Sequence, residues 1–349
     1  MSDEDKANGY MGKYLRVNLT DHKIKEARLD KGILRKYIGG RGLGVRILYD
    51  ELPKNLVDFD PFSGKNIVVI MTGPYTGTAA PASARFEVIT LSPHTKFLGA
   101  ANSGGFFGPA LKRSGFDGLV IGGKSEEPVY ISCIEGNYEI RDAKNLWGKD
   151  TFKADELIKE DLSSKKVRTL VAGPAGENGV TFSSLSNDRG RSASRAGAGA
   201  VFASKNLKGV AVYGTKKIQV AFPEKFKDQV QNYNKLFRRS PAGQLFQLNG
   251  TNMALQLEMI MGGVPVRNYS RATFDNMKNL APGNQWKTTL VDHHACQGCI
   301  ISCKRKVAIE LGKYQLEENP ASGPEYEAIA ALGSNLLIDN IYAVTKAND

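Results

Sequence analysis

Three cysteines stand close together in Cys296-Gln-Gly-Cys299-Ile-Ile-Ser-Cys303, a C-x2-C-x3-C arrangement. Closely spaced thiolates can take several corners of an iron–sulfur cubane while the backbone curls around one side, leaving a remote fourth ligand to close it. The order differs from the C-x3-C-x2-C of radical-SAM enzymes. Two other readings of the same residues stay open: a zinc site completed by His293 or His294, and a buried patch of thiols. The remaining cysteine, Cys133, falls in a strand-like run and reads as a core residue.

Two other segments set arginine beside glycine. In the first, Ser83-Ala-Arg85-Phe-Glu is followed by Ala101-Asn102-Ser-Gly104-Gly105-Phe-Phe-Gly108; the second is Gly190-Arg191-Ser192-Ala-Ser194-Arg195-Ala-Gly197-Ala-Gly199. Arginine grips phosphate with a bidentate fork, and glycine leaves backbone N–H groups open to an anion. Either segment alone reads equally well as a surface turn with solvated arginines; two in one domain point to a phosphorylated cofactor. By contrast, Gly39-Gly-Arg41-Gly42-Leu-Gly44 lacks the G-x-G-x-x-G spacing and follows a helical pattern, so it is a turn or helix-packing feature and not a dinucleotide site. At Gly323-Pro324-Glu325-Tyr326-Glu327 a proline and two acids open an apolar helix. Helix initiation explains both acids, and the functional alternative is that one carboxylate serves as a proton acceptor in a cofactor cleft.

The elements that must position these residues fall into two sets. From Tyr14 to about Tyr213 short β-branched or alternating runs recur between glycine turns: Tyr14–Leu19, Asn66–Met71, Phe86–Leu91, Gly118–Gly122, Val129–Cys133, Val167–Val171 and Val210–Tyr213. These are strand patterns, interrupted by helical ones over Leu34–Asp50, Phe107–Arg113 and Thr151–Leu162. After Pro223 the pattern is helical over Glu224–Arg238, Met253–Met261 and Tyr326–Leu337, with almost no alternation between. The expected fold is α+β, with a β-rich domain over 1–214 and a helical domain over 215–349. Asp339–Asp349 opens a helix with Ile341, Val344 and Ala347 on one face and nothing after it to pack there, which suggests a truncated helical domain.

Composition narrows the classes. The 349 residues carry 47 Lys+Arg against 36 Asp+Glu, a formal charge of +11, with 41% hydrophobic residues, which excludes dominant disorder. No purely apolar run exceeds Ile67–Met71, far short of the ~20 residues of a membrane-spanning helix. The charged opening Met1-Ser-Asp-Glu-Asp-Lys has no apolar leader region, so the reading is of a cytoplasmic protein. Thirty-seven glycines against 14 prolines fit many tight turns and close backbone approaches.

In combination the segments resemble the tungsten-containing aldehyde:ferredoxin oxidoreductase family, because their order is kept: Gly12-Lys-Tyr-Leu-Arg-Val-Asn-Leu, Thr72-Gly-Pro-Tyr-Thr-Gly77, Arg85, Ala101-Asn-Ser-Gly-Gly105, Gly173-Pro-Ala-Gly-Glu-Asn178, Arg191 to Arg195, Gly199-Ala-Val with Ser204-Lys-Asn-Leu-Lys208, the cysteine triplet and Gly323-Pro-Glu-Tyr-Glu327. The resemblance spans the chain from Gly12 onward. It implies a β-rich base for a bis-pterin tungsten cofactor, and helical domains that cover it and carry a [4Fe–4S] cluster. It implies that Arg85, Asn102, Gly104, Arg191, Ser192, Ser194 and Arg195 contact the pterin phosphates and their bridging Mg²⁺, with Arg85 also between pterin and cluster. Cys296, Cys299 and Cys303 would hold three irons, and Glu327 would be the carboxylate beside the metal.

The family's fourth cluster cysteine, D-x-x-G-L-(D/C) pterin motifs and active-site histidine would fall beyond residue 349, and Lys346 and Asp349 stand where the archaeal branch has an E-x-x-H, so no intersubunit metal is expected. A branch resembling the active-site subunit of class II benzoyl-CoA reductase has cysteine where this chain has Glu325-Tyr-Glu327, so glutamate favours aldehyde oxidation. The resemblance thus implies an oxidoreductase taking a small aldehyde to its carboxylic acid, with ferredoxin or a similar acidic carrier as acceptor, and with a homodimer or additional electron-transfer subunits as further partners. Alternatives are a benzoyl-CoA-reductase-like or non-catalytic electron-transfer subunit of the same family, and a basic zinc-knuckle protein binding nucleic acid. The last accounts for the charge and the cysteines but not for the two Arg/Gly segments, and Lys and Arg are spread among acids instead of forming a stripe.

Overall fold

In the computed structural model, which describes residues 7–349, the chain forms an α+β fold of two units, Met1–Lys227 and Asp228–Asp349. The charged opening Met1-Ser-Asp-Glu-Asp-Lys lies outside the described residues. The first half of the first unit holds β1 (Lys13–Asn18), β2 (Lys23–Arg28), α1 (Lys31–Tyr37), α2 (Gly40–Glu51), β3 (Val68–Thr72), β4 (Phe86–Leu91), β5 (Leu98–Ser103), α3 (Phe107–Ser114) and β6 (Gly118–Gly122). Its second half holds β7 (Val129–Ile134), β8 (Asn137–Asp142), α4 (Thr151–Asp161), β9 (Arg168–Ala172), α5 (Pro174–Glu177), β10 (Leu185–Asn187), β11 (Arg191–Ala193), α6 (Ala198–Ser204) and β12 (Leu207–Tyr213).

The halves repeat one topology. The first sheet has the order β2-β1-β6-β3-β4-β5 and the second β8-β7-β12-β9-β10-β11, the same order with six added to each strand number. Pairing directions agree as well: β1 with β6 and β7 with β12 are parallel, and all other neighbours are antiparallel. No sequence period announces this repeat.

Side-chain alternation sorts the strands between cores. Val68 and Ile70 of β3 turn inward with Leu170 of β9, Val210 of β12, Phe107 and Leu111 of α3 and Val201 and Phe202 of α6, so the two sheets share a central core with helices between them. Val69 and Met71 turn outward onto Leu43 and Leu48 of α2. On the second sheet, Tyr130, Val171 and Ala211 turn outward onto Ala154 and Ile158 of α4. The run at Gly39–Gly44 is a helix-packing device: a Cβ on Gly44 would lie 2.4 Å from Ile89 Cδ1, so glycine lets α2 settle on the sheet. The single helix expected over Leu34–Asp50 is two helices, broken where Ile38 takes φ 64° before Gly39 and Gly40.

Lys205, at the end of α6, pins the second half to the first. Its side chain is fully buried and Nζ donates to the carbonyls of Asn66 (2.5 Å), Gly123 (3.1 Å) and Gly64 (3.5 Å). Burial, aided by nearby Lys124, pulls its ammonium down from 10.5 to about 8. Above that value the unfolded chain still binds a proton that the folded protein has released, so Lys205 makes stability rise with pH from about 8 to 10.5. Urea unfolding at several pH values should show the wild type gaining on Lys205→Met by up to ~1.4 kcal/mol per pH unit in that window. A constant gap would show that the three carbonyls hold the ammonium charged throughout.

The second unit holds the end of α7 (Pro223–Arg239), α8 (Pro241–Asn249), α9 (Met253–Met261), α10 (Pro282–Thr288), β13 (Leu290–His294), β14 (Lys304–Val307), β15 (Ala321–Ser322), α11 (Tyr326–Leu332) and α12 (Ile341–Asn348). Two expectations are corrected here. The unit is not purely helical, because β13, β14 and β15 form an antiparallel sheet; β14 reads Lys-Arg-Lys-Val and hides its alternation by turning Arg305 inward with Val307. The apolar face of α12 is not bare either. Ile341 and Val344 are buried with Leu255, Val264, Val266, Leu280 and Ile329, and the face is completed by buried Thr345, while Ala347 is exposed. Helix α11 stops at Leu332, short of the expected Leu337, where Gly333 breaks it before a single 3-10 turn.

No described helix is long and apolar enough to cross a membrane.

Candidate functional site

The glycine turns of the two Arg/Gly segments are equivalent positions of the repeat, although Arg85 stands before β4 and Arg191 opens β11. In each half an edge strand runs through a glycine turn into a core helix: β5, Gly104–Phe106, α3; and β11, Ser194–Gly197, α6. The edges meet, since Gly99 at the start of β5 lies so near Ala196 that a Cβ on the glycine would be 2.2 Å from the alanine Cβ. Sequence positions about ninety residues apart are thereby brought to one place.

Residues between the segments lock this meeting. Ser103 Oγ donates to Asn187 Oδ1 (2.7 Å), and Asn187 Nδ2 donates to the Gly104 carbonyl (2.9 Å). Asp188 Oδ2 accepts the N–H groups of Phe106 (2.6 Å) and Phe107 (3.1 Å), so the first donors of α3 are already used. Gly105 is obligatory at this turn: φ is +98° and a Cβ would lie 2.3 Å from Asp188 Oδ2. Neither Asn187 nor Asp188 was singled out from the sequence, although Asn187-Asp188-Arg189-Gly190 is a hairpin-turn composition that could have marked them.

The second turn is the open one. No N–H from Ser194 to Ala198 is hydrogen-bonded among the described residues, and Ala196 and Gly197 both have φ +67°; left-handed Gly197 leads directly into right-handed α6, the alternation in which successive N–H groups form a concave anion nest. Arg191 begins β11 half-buried, and its Nη2 is buried with no acceptor. Ser192 Oγ donates to the Leu185 carbonyl at 3.3 Å, while Ser194 and Arg195 are exposed. On the first half, Asn102 Nδ2 donates to Glu87 Oε1 (2.8 Å) and the Phe86 carbonyl (3.3 Å), which leaves its Oδ1 unengaged. Arg41 reaches the same carboxylate at 3.2 Å. Arg85 is exposed, its carbonyl held by Thr76 Oγ1 at 2.9 Å. A buried guanidinium nitrogen without a partner, a row of unpaired N–H groups and a free amide oxygen are the donors that a phosphate and its cation require. This set suits a phosphate and a hard cation beside it.

In the second unit the cysteine loop joins β13 to β14. Cys296, Cys299 and Cys303 are half-buried, none is in a disulfide, and Cys299 N–H closes a turn on the Cys296 carbonyl at 3.0 Å. Cys133 is a fully buried core residue on β7, as its sequence context implies, and burial pushes its thiol up to about 11. Among the described residues no three His, Cys, Asp or Glu side chains converge on one metal-ion position. Three thiolates on one short loop are a donor set that a cubane accepts, each thiolate on a separate iron corner. His293 also argues against zinc: its Nδ1 lies 3.1 Å from Arg305 Nη1, a group that can only donate, so this nitrogen is already used as an acceptor.

The acidic segment is set against β14, the strand that leaves this loop. β14 pairs with β15, and Gly323 N–H donates to the Arg305 carbonyl at 2.9 Å. The two acids then part in role. Glu325 sits at the N-cap of α11, half-exposed, 3.5 Å from Lys304 Nζ. Glu327 is in the first turn, exposed, with no hydrogen bond or ion pair among the described residues.

Residues 14–214 match the family described as "Aldehyde ferredoxin oxidoreductase, N-terminal domain", and residues 228–349 that described as "Aldehyde ferredoxin oxidoreductase, domains 2 & 3". The tungsten-containing aldehyde ferredoxin oxidoreductase of Pyrococcus horikoshii is 38% identical over 97% of this chain and 55% of its own length. An aliphatic sulfonate oxidoreductase, WOR-like subunit, of Pyrococcus furiosus is 31% identical over 94% of this chain and 54% of its own. Among solved structures, the active site complex of benzoyl coenzyme A reductase with 1,5 dienoyl-CoA superposes with a TM-score of 0.78 at 28% identity, over 96% of this chain and 54% of that one. The chain therefore spans about half the length of the curated relatives it matches. With both units matched, the chain belongs to the aldehyde ferredoxin oxidoreductase family, a family of oxidoreductases.

Proposed function

We propose that the full-length protein oxidises a small aldehyde to its carboxylic acid and passes the electrons to ferredoxin, using a bis-pterin tungsten centre and a [4Fe–4S] cluster. The observation that carries this reading is the open second turn with the orphaned Nη2 of Arg191, a set of unused donors that suits a phosphate. Arg191, the N–H groups of Ser194 to Ala198 and the exposed Arg85 and Arg195 bind and orient those phosphates, and Asn102 Oδ1 offers a ligand to Mg²⁺. Ser192 and Ser194 supply hydroxyl groups beside them, and the N–H of buried Gly104 has no acceptor among the described residues. Cys296, Cys299 and Cys303 supply three thiolates to the cluster.

When bound, the tungsten centre supplies Lewis acidity and accepts an electron pair. Aldehyde plus water yields acid, two protons and two electrons, so a base must take a proton from water or from the hydrated aldehyde. A Glu327 carboxylate oxygen does so, because Glu325 is engaged by Lys304 and Glu327 is not. The surplus of basic residues favours an acidic carrier such as ferredoxin as the electron-transfer partner.

The likeness to the benzoyl coenzyme A reductase complex supports a second reading, a reductase-type active-site subunit. Expression of the full-length protein with tungstate, followed by assay of aldehydes with ferredoxin or a viologen as acceptor, decides between them. Aldehyde-dependent reduction of the acceptor is expected; none, in a tungsten-replete protein, sinks the aldehyde assignment.

A further inference from the structure

Arg305 is a buried cation without a carboxylate partner. It is 3% exposed, and no acid lies within ion-pair distance among the described residues. Its Nη1 donates to the carbonyls of Ser302 (3.0 Å) and Lys304 (3.3 Å), the residues on either side of Cys303, and its Nη2 to the Gln247 carbonyl (2.9 Å). Its buried Nε–H has no acceptor. A buried charge is costly unless an anion lies beside it. A peg serving only the fold needs neither the charge nor the spare donor.

We propose that Arg305 is a positioning residue for the cluster: it clamps the backbone around Cys303 and holds a fixed positive charge and a free N–H beside that ligand. The proposal rests on the cluster reading above. Charge and hydrogen bonds near the sulfurs set a cluster's potential, and both terms here favour the reduced, more negative state.

The test is an anaerobic redox titration of the full-length holoprotein, followed by electron paramagnetic resonance, for wild type, Arg305→Lys and Arg305→Met, with iron measured in each. Arg305→Lys is expected to keep iron and a potential close to wild type. Arg305→Met is expected to lower the reduction equilibrium constant about tenfold, which is 59 mV for one electron, or to lose iron that Arg305→Lys retains. Arg305→Met at wild-type potential, or equal iron loss in both variants, overturns the proposal and leaves the cluster reading standing. An iron-free wild-type protein overturns the cluster reading itself and the proposal with it.

Discussion

Arg191→Ala in the full-length protein is expected to remove most of the bound pterin and tungsten while the β-rich unit stays folded. Arg191 is half-buried with an unpaired Nη2, so its loss deprives a bound phosphate of a charge-assisted donor and relieves no contact within the protein. Each such bond is worth about 1.5–3 kcal/mol, and a bidentate fork makes two, so affinity should fall by roughly 10²–10⁴. Arg191→Lys should recover part of the occupancy, since the charge returns without the fork. Arg85→Ala should cost less, because that side chain is exposed and water replaces it more readily. Pterin and tungsten per chain are the readout, and full occupancy in Arg191→Ala would make this arginine a solvated turn residue.

Glu327→Gln is expected to lower kcat by about 10²–10⁴, the usual worth of a positioned general base, with tungsten and iron contents unchanged. Glu325→Gln should have a much smaller effect, because Glu325 is the half-exposed partner of Lys304. Equal small losses in both variants would reduce the pair to helix initiation, the acids merely favouring the start of α11.

Much of this arrangement is legible in the residues, for reasons that differ by element. Strands such as Val68–Thr72 and Phe86–Leu91 declare themselves because both faces are buried, and helix α4 because Asp150 caps it and its apolar spacing is regular. Strand β2, Lys-Ile-Lys-Glu-Ala-Arg, is an exposed edge with little apolar alternation, and β10 and β11 are too short to show any period. β14 is masked by the inward Arg305. For the site, the arginines and glycines are visible by type, but their convergence is not: it depends on β5 and β11 meeting as sheet edges, with Asn187 and Asp188 as the tie. The repeat that makes the two segments equivalent lives in strand order alone, since the halves place different side chains, Glu87 with Asn102 and Ser186 with Ser192, at corresponding cross-strand pairs.

The central claim, that the first unit holds a bis-pterin metal centre at its open turn while the cysteine loop of the second holds iron and sulfur, is tested most directly by composition. The full-length protein, expressed with tungstate and purified without oxygen, should be brown, absorb broadly near ~400 nm as an iron–sulfur protein does, and contain iron, tungsten and two pterins for each tungsten. A colourless protein with stoichiometric zinc and no pterin would contradict the account in both units at once.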